Sequence, residues 1–334
     1  MRLLYLPSEY AQQRQREKRR YVYPVRMAME ATYHQNLGHD VMWCSDPKIS
    51  SLLIPSASGW KQPARVITTH EGIPFHKLPR PDRILTDAFN PIYQNNGNFK
   101  YLPGTYTMAS SGCWWGKCEF CIEKTQSVYT RPVEEVVDEI DICQKLGFRE
   151  VFDDSATFPI GSWLTEFCYK VKRVKGVRLG CNMRLVNVDY KMMRDAGFRM
   201  VLFGLESAST YTRYKINKCV VEDAEKYIVK AAKAGLEPHV AVMFGYPWET
   251  DEYSIETLKL VHWLLRKGYA KTAQASFYTV KGETANASQR KYVDQIYRAA
   301  FYPDFWFNKL RDIRNVDDIK YLWRSIKEGV SCTK

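Results

Sequence analysis

From residue 105 onward the chain alternates short apolar runs with amphipathic helical segments, and this alternation limits the fold more than any other feature. The apolar runs predict strands at residues 106–109, 150–152, 178–181, 200–203, 239–244 and 273–278. Helical periodicity predicts helices at residues 133–146, 162–174, 190–196, 222–234 and 254–266. Such a series predicts a parallel α/β sheet with helices outside it. A closed barrel of this type has eight strands, so these six predict an open, partial (β/α)6 barrel.

The rest of the chain predicts smaller units on either side of the barrel. Apolar runs at residues 3–6 and 41–43 flank a helical segment at 23–37, which predicts a small N-terminal βαβ unit. Turn-forming residues dominate the stretch that follows, although residues 65–69 have a strand-like pattern. Helical patterns at 292–301 and 316–326 predict C-terminal helices. The predicted regions are residues 1–45 (reduced βαβ unit), 46–104 (connector), 105–285 (partial barrel) and 286–334 (helical extension).

Composition excludes several classes of protein. Apolar residues make up 45% of the 334 residues and charged residues 26%, which is typical of a globular chain. The apolar runs are too short to span a membrane, and the first residues lack a signal-peptide pattern, so we expect a cytoplasmic protein without a membrane partner. Nine cysteines, three of them within nine residues, favour a metal site in a reducing compartment over a disulfide framework.

The formal net charge of +12 has two interpretations. A basic protein attracts nucleic acid or acidic substrates through its overall field. Part of the excess lies in the run Arg14–Arg20, and the rest is dispersed along the chain. A solvated helix face or loop is therefore the favoured interpretation of this run, and a nucleic-acid partner is the alternative.

The stretch Gly112–Cys121 contains three cysteines spaced CxxxxCxxC. Thiolate sulfur suits both iron–sulfur clusters and zinc, and glycines at 112 and 116 let the backbone turn. A plant-type two-iron cluster uses the same spacing with a distant fourth cysteine, for which Cys143 is the nearest candidate. Cys143 follows apolar residues on a predicted helix and fits a core position better. A structural zinc site is the other alternative.

Polar residues follow every predicted strand of the barrel. Because ligands of parallel sheets bind outside the carboxyl ends of the strands, we expect these residues to share one edge. The three cysteines follow the first strand. The residues that follow the second to the sixth strand are, strand by strand, Asp153, Asp154 and Ser155; Asn182 and Arg184; Gly204, Glu206 and Ser207; Gly245, Pro247, Glu249 and Thr250; and Thr279, Lys281 and Gly282.

Five segments in this order resemble the radical S-adenosylmethionine (radical SAM) superfamily. They are GCWWGKCEFC at 112–121, VFDDSATF at 151–158, NMRLVNVD at 182–189, AGFRMVLFGLES at 196–207 and FGYPWET at 244–250. The resemblance runs from about Leu78 through Tyr302 and is strongest to the branch that carries an N-terminal cobalamin-binding domain. The family's loop is commonly CxxxCxxC, so the loop of this chain is one residue longer.

The resemblance implies an enzyme with two cofactors. Cys113, Cys118 and Cys121 would hold a 4Fe–4S cluster whose fourth iron binds the amine and carboxylate of S-adenosylmethionine. Reductive cleavage would release a 5′-deoxyadenosyl radical that abstracts hydrogen from an unidentified small-molecule, peptide or nucleotide substrate. A reductant such as flavodoxin or ferredoxin would supply the electron. No individual catalytic residue is assigned.

The resemblance also implies contacts to S-adenosylmethionine, and each contact has a structural alternative. Asp153 or Asp154 would accept hydrogen bonds from the ammonium, or start a helix. Arg184 would pair with the carboxylate, or form a structural ion pair. The remaining predicted contacts are Glu206 and Ser207 to the ribose hydroxyls or ammonium, and Phe120 with Val242 to Gly245 beside the adenine. Glu249 and Thr250 fit helix capping better than catalysis.

Cobalamin is not expected as a cofactor. The related branch often supplies a DxHxxG loop whose histidine ligates cobalt, and this sequence contains no such motif. One βαβ unit also offers too little sheet to enclose a corrin, so we interpret residues 1–45 as a reduced form of that domain. The sequence assigns no role to Cys219 or Cys332. The alternative functions are an iron–sulfur electron-transfer module and a basic nucleic-acid-binding protein with structural zinc.

Overall fold

A computed structural model describes residues 1–6, 22–45, 65–94, 97–121, 127–218, 224–279 and 285–332 of the chain. The predictions made for Arg14–Arg20, Cys219, Lys281 and Gly282 lie outside these residues. Within the described ranges, no helix combines the length and apolar character needed to cross a membrane.

The N-terminal unit is a three-stranded parallel sheet with one helix. It consists of β1 (Arg2–Tyr5), α1 (Val25–Asn36), β2 (Asp40–Trp43) and β3 (Arg65–Ile67), in the sheet order β2-β1-β3. The third strand comes from the stretch predicted as a connector, and Leu3 pairs with Arg65 in it. Because two strands leave one edge of β1 open, β3 covers backbone groups that the predicted βαβ unit would expose.

The main body alternates strands and helices as predicted. Its elements are α2 (Pro91–Gln94), β4 (Gly104–Thr107), β5 (Ser110–Ser111), β6 (Tyr129–Thr130), α3 (Val133–Lys145), β7 (Glu150–Asp153), α4 (Ser162–Lys170), β8 (Arg178–Met183), α5 (Tyr190–Asp195), β9 (Phe198–Glu206), α6 (Thr210–Lys215), α7 (Glu225–Lys233), β10 (Glu237–Phe244), α8 (Asp251–Arg266) and β11 (Thr272–Phe277). Three helices follow: α9 (Lys291–Gln295), α10 (Pro303–Arg311) and α11 (Val316–Cys332).

Six parallel strands form the main sheet in the order β11-β10-β9-β8-β7-β4, which is the order of the chain. The sheet curls into half a barrel, and the prediction of a partial (β/α)6 barrel is confirmed. The main core contains apolar residues from the strands and from α3, α4, α7 and α8. The carboxyl ends of all six strands therefore lie at one edge, where the site residues were predicted.

Several elements differ from the sequence prediction. The short antiparallel pair β5–β6 and the helices α6 and α10 were not predicted. The helix predicted at 292–301 is shorter, because α9 ends at Gln295 and a 3₁₀ segment continues to Phe301. Strand β9 extends to Glu206, beyond the predicted end at 203, because its pairing with β10 continues through Gly204 and Glu206.

Buried ion pairs close the amino ends of the strands. Arg199 donates to Glu150 at 2.6 Å and to Glu237 at 2.7 Å. Lys100 pairs with Glu237 at 3.0 Å and with Asp318 of α11 at 2.5 Å. The C-terminal helix is thereby fixed to the end of the sheet opposite the predicted site.

A second buried network fixes the segment before the barrel. The guanidinium of Arg83 donates to the carbonyl of Tyr106 at 2.8 Å and to Glu139 of α3 at 2.7 Å. Glu139 also accepts from Arg131 at 2.6 Å, at the end of the cysteine loop. Burial opposes ionisation of Glu139, but the two guanidiniums outweigh it and lower the pKa of this carboxyl.

Candidate functional site

The cysteine loop connects β5 to β6 at the carboxyl edge of the barrel. Gly112 and Gly116 adopt positive φ angles of 67° and 60°, which a residue with a Cβ disfavours. The amide of Cys121 donates to the carbonyl of Cys118 at 3.1 Å, so these two cysteines flank a tight turn. All three thiols are free of disulfides; Cys118 is buried, whereas Cys113 and Cys121 are half-buried.

The three cysteines do not converge on one point. Among the described residues, no three His, Cys, Asp or Glu side chains are placed to hold a single metal ion. The three ligands of a cluster bind three different irons, so they need not converge in this way.

A turn after α6 holds the cysteine loop in place. The amide of Glu119 donates to the carbonyl of Ile216 at 3.1 Å, and the side chain of Asn217 donates to the Glu119 carboxylate at 2.9 Å. The indole N–H of Trp115 donates to the carbonyl of Asn217 at 2.6 Å. These bonds join two segments about 100 positions apart in the chain. Asn217 was not among the predicted residues, and no sequence signal distinguishes it from an ordinary turn residue.

Arg184, which follows β8, lies against the cysteine loop. Its Nη1 atom donates to Sγ of Cys118 at 3.6 Å, and its Nη2 atom donates to the carbonyl of Lys218. The guanidinium carbon lies 4.3 Å from the ring centroid of Trp115 and 5.6 Å from that of Trp114. Burial raises the pKa of the Cys118 thiol, while Lys218 and Arg184 act to lower it.

Glu206 and Lys218 form an ion pair beside this group. The ammonium of Lys218 lies 2.9 Å from Oε1 of Glu206 and 5.9 Å from the ring centroid of Phe120. Burial lowers the pKa of Lys218, but the Glu206 carboxylate outweighs it, so the pKa is raised and the lysine stays charged. Glu206 ends β9 at a φ of 64°, next to a register shift in the pairing with β10. Sequence analysis missed Lys218 because lysines are common in exposed turns.

Asp153 ends β7 and Asp154 follows it, and the two carboxyls have different surroundings. The two oxygens of Asp153 accept from the amides of Ala109 at 2.6 Å and Ser155 at 3.1 Å, which fixes the entry to the cysteine loop. Burial raises the pKa of Asp153 to about 6. Burial and the neighbouring Asp153 raise the pKa of Asp154 to about 7, against a hydrogen bond with Asn182.

The residue after Glu206 is part of a buried hydroxyl network. The Oγ of Ser207 accepts from the amide of Ser209 at 3.1 Å and lies 3.2 Å from Oγ1 of Thr257. Ser209 in turn caps the start of α6. These contacts fit a role in shaping the turn, and the prediction that Ser207 binds the cofactor stays a prediction.

The end of β10 forms a tight, enclosed turn. Val242 is buried and pairs with Glu206. Gly245 has a φ of 95°, and a Cβ at this position would lie 2.3 Å from the ring of Phe277. Its amide donates to Oε2 of Glu249 at 2.5 Å, and the amide of Tyr246 donates to the same oxygen at 3.3 Å. Glu249 thus closes this turn, and Thr250 caps α8.

The described structure brings some predicted residues together and leaves others apart. Cys118, Phe120, Arg184 and Glu206 all lie around Lys218. Tyr246 packs with Phe120 in a small apolar cluster. Asp153 ends β7 and Asp154 follows it, and β7 lies two strands from β9. The assignment of individual residues to a cofactor stays a prediction.

Parts of this chain are similar to known proteins. A 38-residue stretch is 45% identical to an uncharacterized protein of Archaeoglobus fulgidus, covering 11% of this chain and 7% of that protein. The radical S-adenosylmethionine methyltransferase TsrM from Kitasatospora setae is 18% identical, with a TM-score of 0.49 over 62% of this chain and 39% of that one. The cobalamin-dependent S-adenosylmethionine radical enzyme OxsB is 15% identical, with a TM-score of 0.46 over 73% of this chain and 34% of that one.

This chain thus spans about two-fifths or less of the length of these two solved proteins. Residues 108–261 match the sequence model of the radical SAM superfamily. The matched segment begins before the cysteine loop and includes the strands from β7 through β10. Residues 108–261 therefore form a domain of the radical SAM superfamily.

Proposed function

We propose that this protein binds a 4Fe–4S cluster and S-adenosylmethionine at the carboxyl edge of the half-barrel and uses them to abstract hydrogen from a substrate. The observation that carries the proposal is the placement of the Cys113, Cys118 and Cys121 loop beside the Lys218–Glu206 ion pair. When bound, the cluster would supply the electron for reductive cleavage of S-adenosylmethionine. The substrate class is open among small molecules, peptides and nucleotides.

The residues of the site fit these two groups. Three free thiols in one loop provide the soft sulfur ligands that iron–sulfur clusters need. Buried polar atoms that lack a protein partner within the described residues include Arg184 Nε, Tyr246 Oη and Trp248 Nε1. Buried polar groups without partners are costly, so these atoms favour a polar ligand in this region.

The ion pair of Lys218 and Glu206 suits the methionyl end of S-adenosylmethionine. That group carries a carboxylate and an ammonium, so Lys218 can bind the first and Glu206 the second. Both side chains are largely buried, at 13% and 11% exposure, so competition from water is weak.

The apolar surroundings favour radical chemistry away from water. Phe120, Met243 and Trp248 pack around Tyr246 and Tyr278 near the ion pair. Such a shell excludes solvent and limits side reactions of a reactive intermediate. We expect a flavodoxin or ferredoxin to deliver the electron, as the family resemblance implies.

Anaerobic reconstitution tests the proposal. The protein should bind about four iron and four sulfide, and with dithionite it should convert S-adenosylmethionine to 5′-deoxyadenosine and methionine. Cys118→Ala should lose the cluster and the cleavage. Cys168→Ala is the matched control because Cys168 is a buried core residue of α4.

Three outcomes distinguish the alternatives. Stoichiometric zinc without sulfide would favour the nucleic-acid-binding alternative. A complete cluster that never cleaves S-adenosylmethionine would favour the electron-transfer module. Equal loss of iron in Cys118→Ala and Cys168→Ala would contradict the proposed ligand set.

A further inference from the structure

We infer that Arg184 acts on the cluster through Cys118, as a fixed cation that raises the cluster's reduction potential, with Trp115 as its support. The inference rests on the proposed function, because it requires that Cys118 is a cluster ligand. It assigns Arg184 a role different from the carboxylate contact that the family resemblance implies.

Three contacts fix the position of the guanidinium. Nη1 donates to Cys118 Sγ at 3.6 Å, Nη2 donates to the Lys218 carbonyl, and the guanidinium carbon lies 4.3 Å from the Trp115 ring centroid. Arg184 is 5% exposed and Cys118 is 6% exposed, so water screens this pair weakly. Both Nη atoms are engaged by these contacts, and only Nε has no partner among the described residues.

Trp115 is itself fixed from the other side. Its indole N–H donates to the carbonyl of Asn217 at 2.6 Å, and the side chain of Asn217 donates to Glu119. An arginine over an indole gains a cation–π attraction, which is stronger when the pair is shielded from water. The tryptophan therefore limits the positions available to Arg184.

Trp115 lies in the spacer between the first two cysteines of the loop. The spacing here is CxxxxCxxC, one residue longer than CxxxCxxC, and four residues separate Cys113 from Cys118. Two of those four are tryptophans, and both lie within 6 Å of the Arg184 guanidinium.

The sign of the effect follows from charge. One-electron reduction makes a cluster more negative, so a nearby cation and an N–H donor to a ligand sulfur stabilise the reduced state more than the oxidised state. Arg184 should therefore raise the potential, which makes the cluster easier to reduce. Removing it should shift the potential to a more negative value.

The test is a potentiometric titration of the reconstituted full chain, followed by electron paramagnetic resonance and done without S-adenosylmethionine. Arg184→Gln should have a more negative midpoint than the wild type. The midpoint of Arg184→Lys should lie between these two, because lysine keeps the charge but lacks the planar guanidinium that donates to Cys118 and lies over Trp115. Arg178→Gln is the matched control, since Arg178 is exposed at the opposite end of the same strand.

Trp115→Leu tests the same effect independently, because it leaves Arg184 intact. It should also shift the midpoint to a more negative value, because the guanidinium loses its support. If Arg184→Gln does not retain a cluster, the Arg184→Lys and Trp115→Leu midpoints decide the question. Wild-type midpoints in both would then overturn the inference.

The outcomes separate this inference from the function on which it rests. A wild-type protein without iron and sulfide would overturn both. A complete cluster in Arg184→Gln with an unchanged midpoint would overturn only the role of Arg184. If Arg184→Gln has an unchanged midpoint but binds S-adenosylmethionine more weakly, the result would favour the predicted contact between Arg184 and the carboxylate of S-adenosylmethionine.

Discussion

The ammonium of Lys218 lies 2.9 Å from the carboxylate of Glu206, where β9 ends beside the cysteine loop. The two residues are twelve positions apart, and α6 lies between them. Their pairing keeps two opposite charges together in a largely buried place. A zwitterionic ligand can bind there when its carboxylate takes the place of Glu206 beside Lys218 and its ammonium takes the place of Lys218 beside Glu206.

Replacing Lys218 should weaken cofactor binding. Lys218→Met removes the cation and leaves the Glu206 carboxylate without its partner, so the dissociation constant of S-adenosylmethionine should rise by about tenfold or more. Iron content should stay at the wild-type level. Isothermal titration calorimetry on the reconstituted protein measures the change. Lys215→Met is the control, since Lys215 is exposed on α6; equal affinity in both variants would contradict the role of Lys218.

Alanine should be far less tolerated at Gly245 than at Gly147. Both glycines have φ near +95°, at 95° and 97°, so alanine meets a similar backbone strain at each. Only at Gly245 does the added Cβ meet the ring of Phe277, at 2.3 Å, whereas nothing lies within 4 Å at Gly147. Gly147→Ala should cost about 1–2 kcal/mol of unfolding free energy, and Gly245→Ala roughly 1–3 kcal/mol more. Urea denaturation midpoints compare the two, and equal midpoints would exclude the clash.

Glu249 should make stability depend on pH. Burial raises the pKa of Glu249 to about 7 from the ordinary value of 4.5, so between these two pH values the folded state holds a proton that the unfolded state releases. Stability from this group is therefore complete below pH about 4.5 and is lost as pH rises through about 7. Glu249→Gln does not titrate, so its stability relative to the wild type should increase with pH, by roughly 3 kcal/mol in total.

Urea denaturation at several pH values between 4.5 and 7.5 measures this difference. Glu256→Gln removes the same charge from an exposed position of α8, so it corrects for the change in net charge. A constant difference between Glu249→Gln and the wild type across this range would show that the carboxyl does not titrate there.

Removing Arg199 should strongly destabilise the barrel. Arg199→Met leaves two carboxylates, Glu150 and Glu237, without the guanidinium that contacts both in a buried place. Breaking a buried ion pair in this way costs about 3–5 kcal/mol. Arg173→Met is the control because its ion pairs with Glu134 and Asp138 are exposed, and such pairs contribute about 0–1 kcal/mol each. Thermal unfolding should show a much larger loss for Arg199→Met, and similar losses would contradict this account.

The protein should not retain cobalamin. Its N-terminal unit is a three-stranded sheet with one helix in the described residues, and the sequence has no DxHxxG motif. After incubation with hydroxocobalamin and desalting, the visible spectrum should lack a stoichiometric corrin band. A retained band would contradict this prediction and favour cobalamin-dependent methyl transfer.

The sequence by itself determined the order and type of the barrel elements. Apolar spacing is a local property, so it predicts each strand and helix from nearby residues. The position of residues after a strand also follows from the sequence once the sheet is parallel. That reasoning placed Cys118, Arg184 and Glu206 at one edge, and the structure brings them together around Lys218.

Only the tertiary structure decided which of these side chains meet and which groups they bind. Strand β3 joins β1 across more than 60 residues, and Arg184 meets Cys118 across 66. Lys218 reaches Glu206 because a turn after α6 brings it back to the end of β9. Such contacts depend on distances between segments that local patterns do not encode. A lysine in a turn therefore has the same sequence signature whether it is exposed or paired with a buried carboxylate.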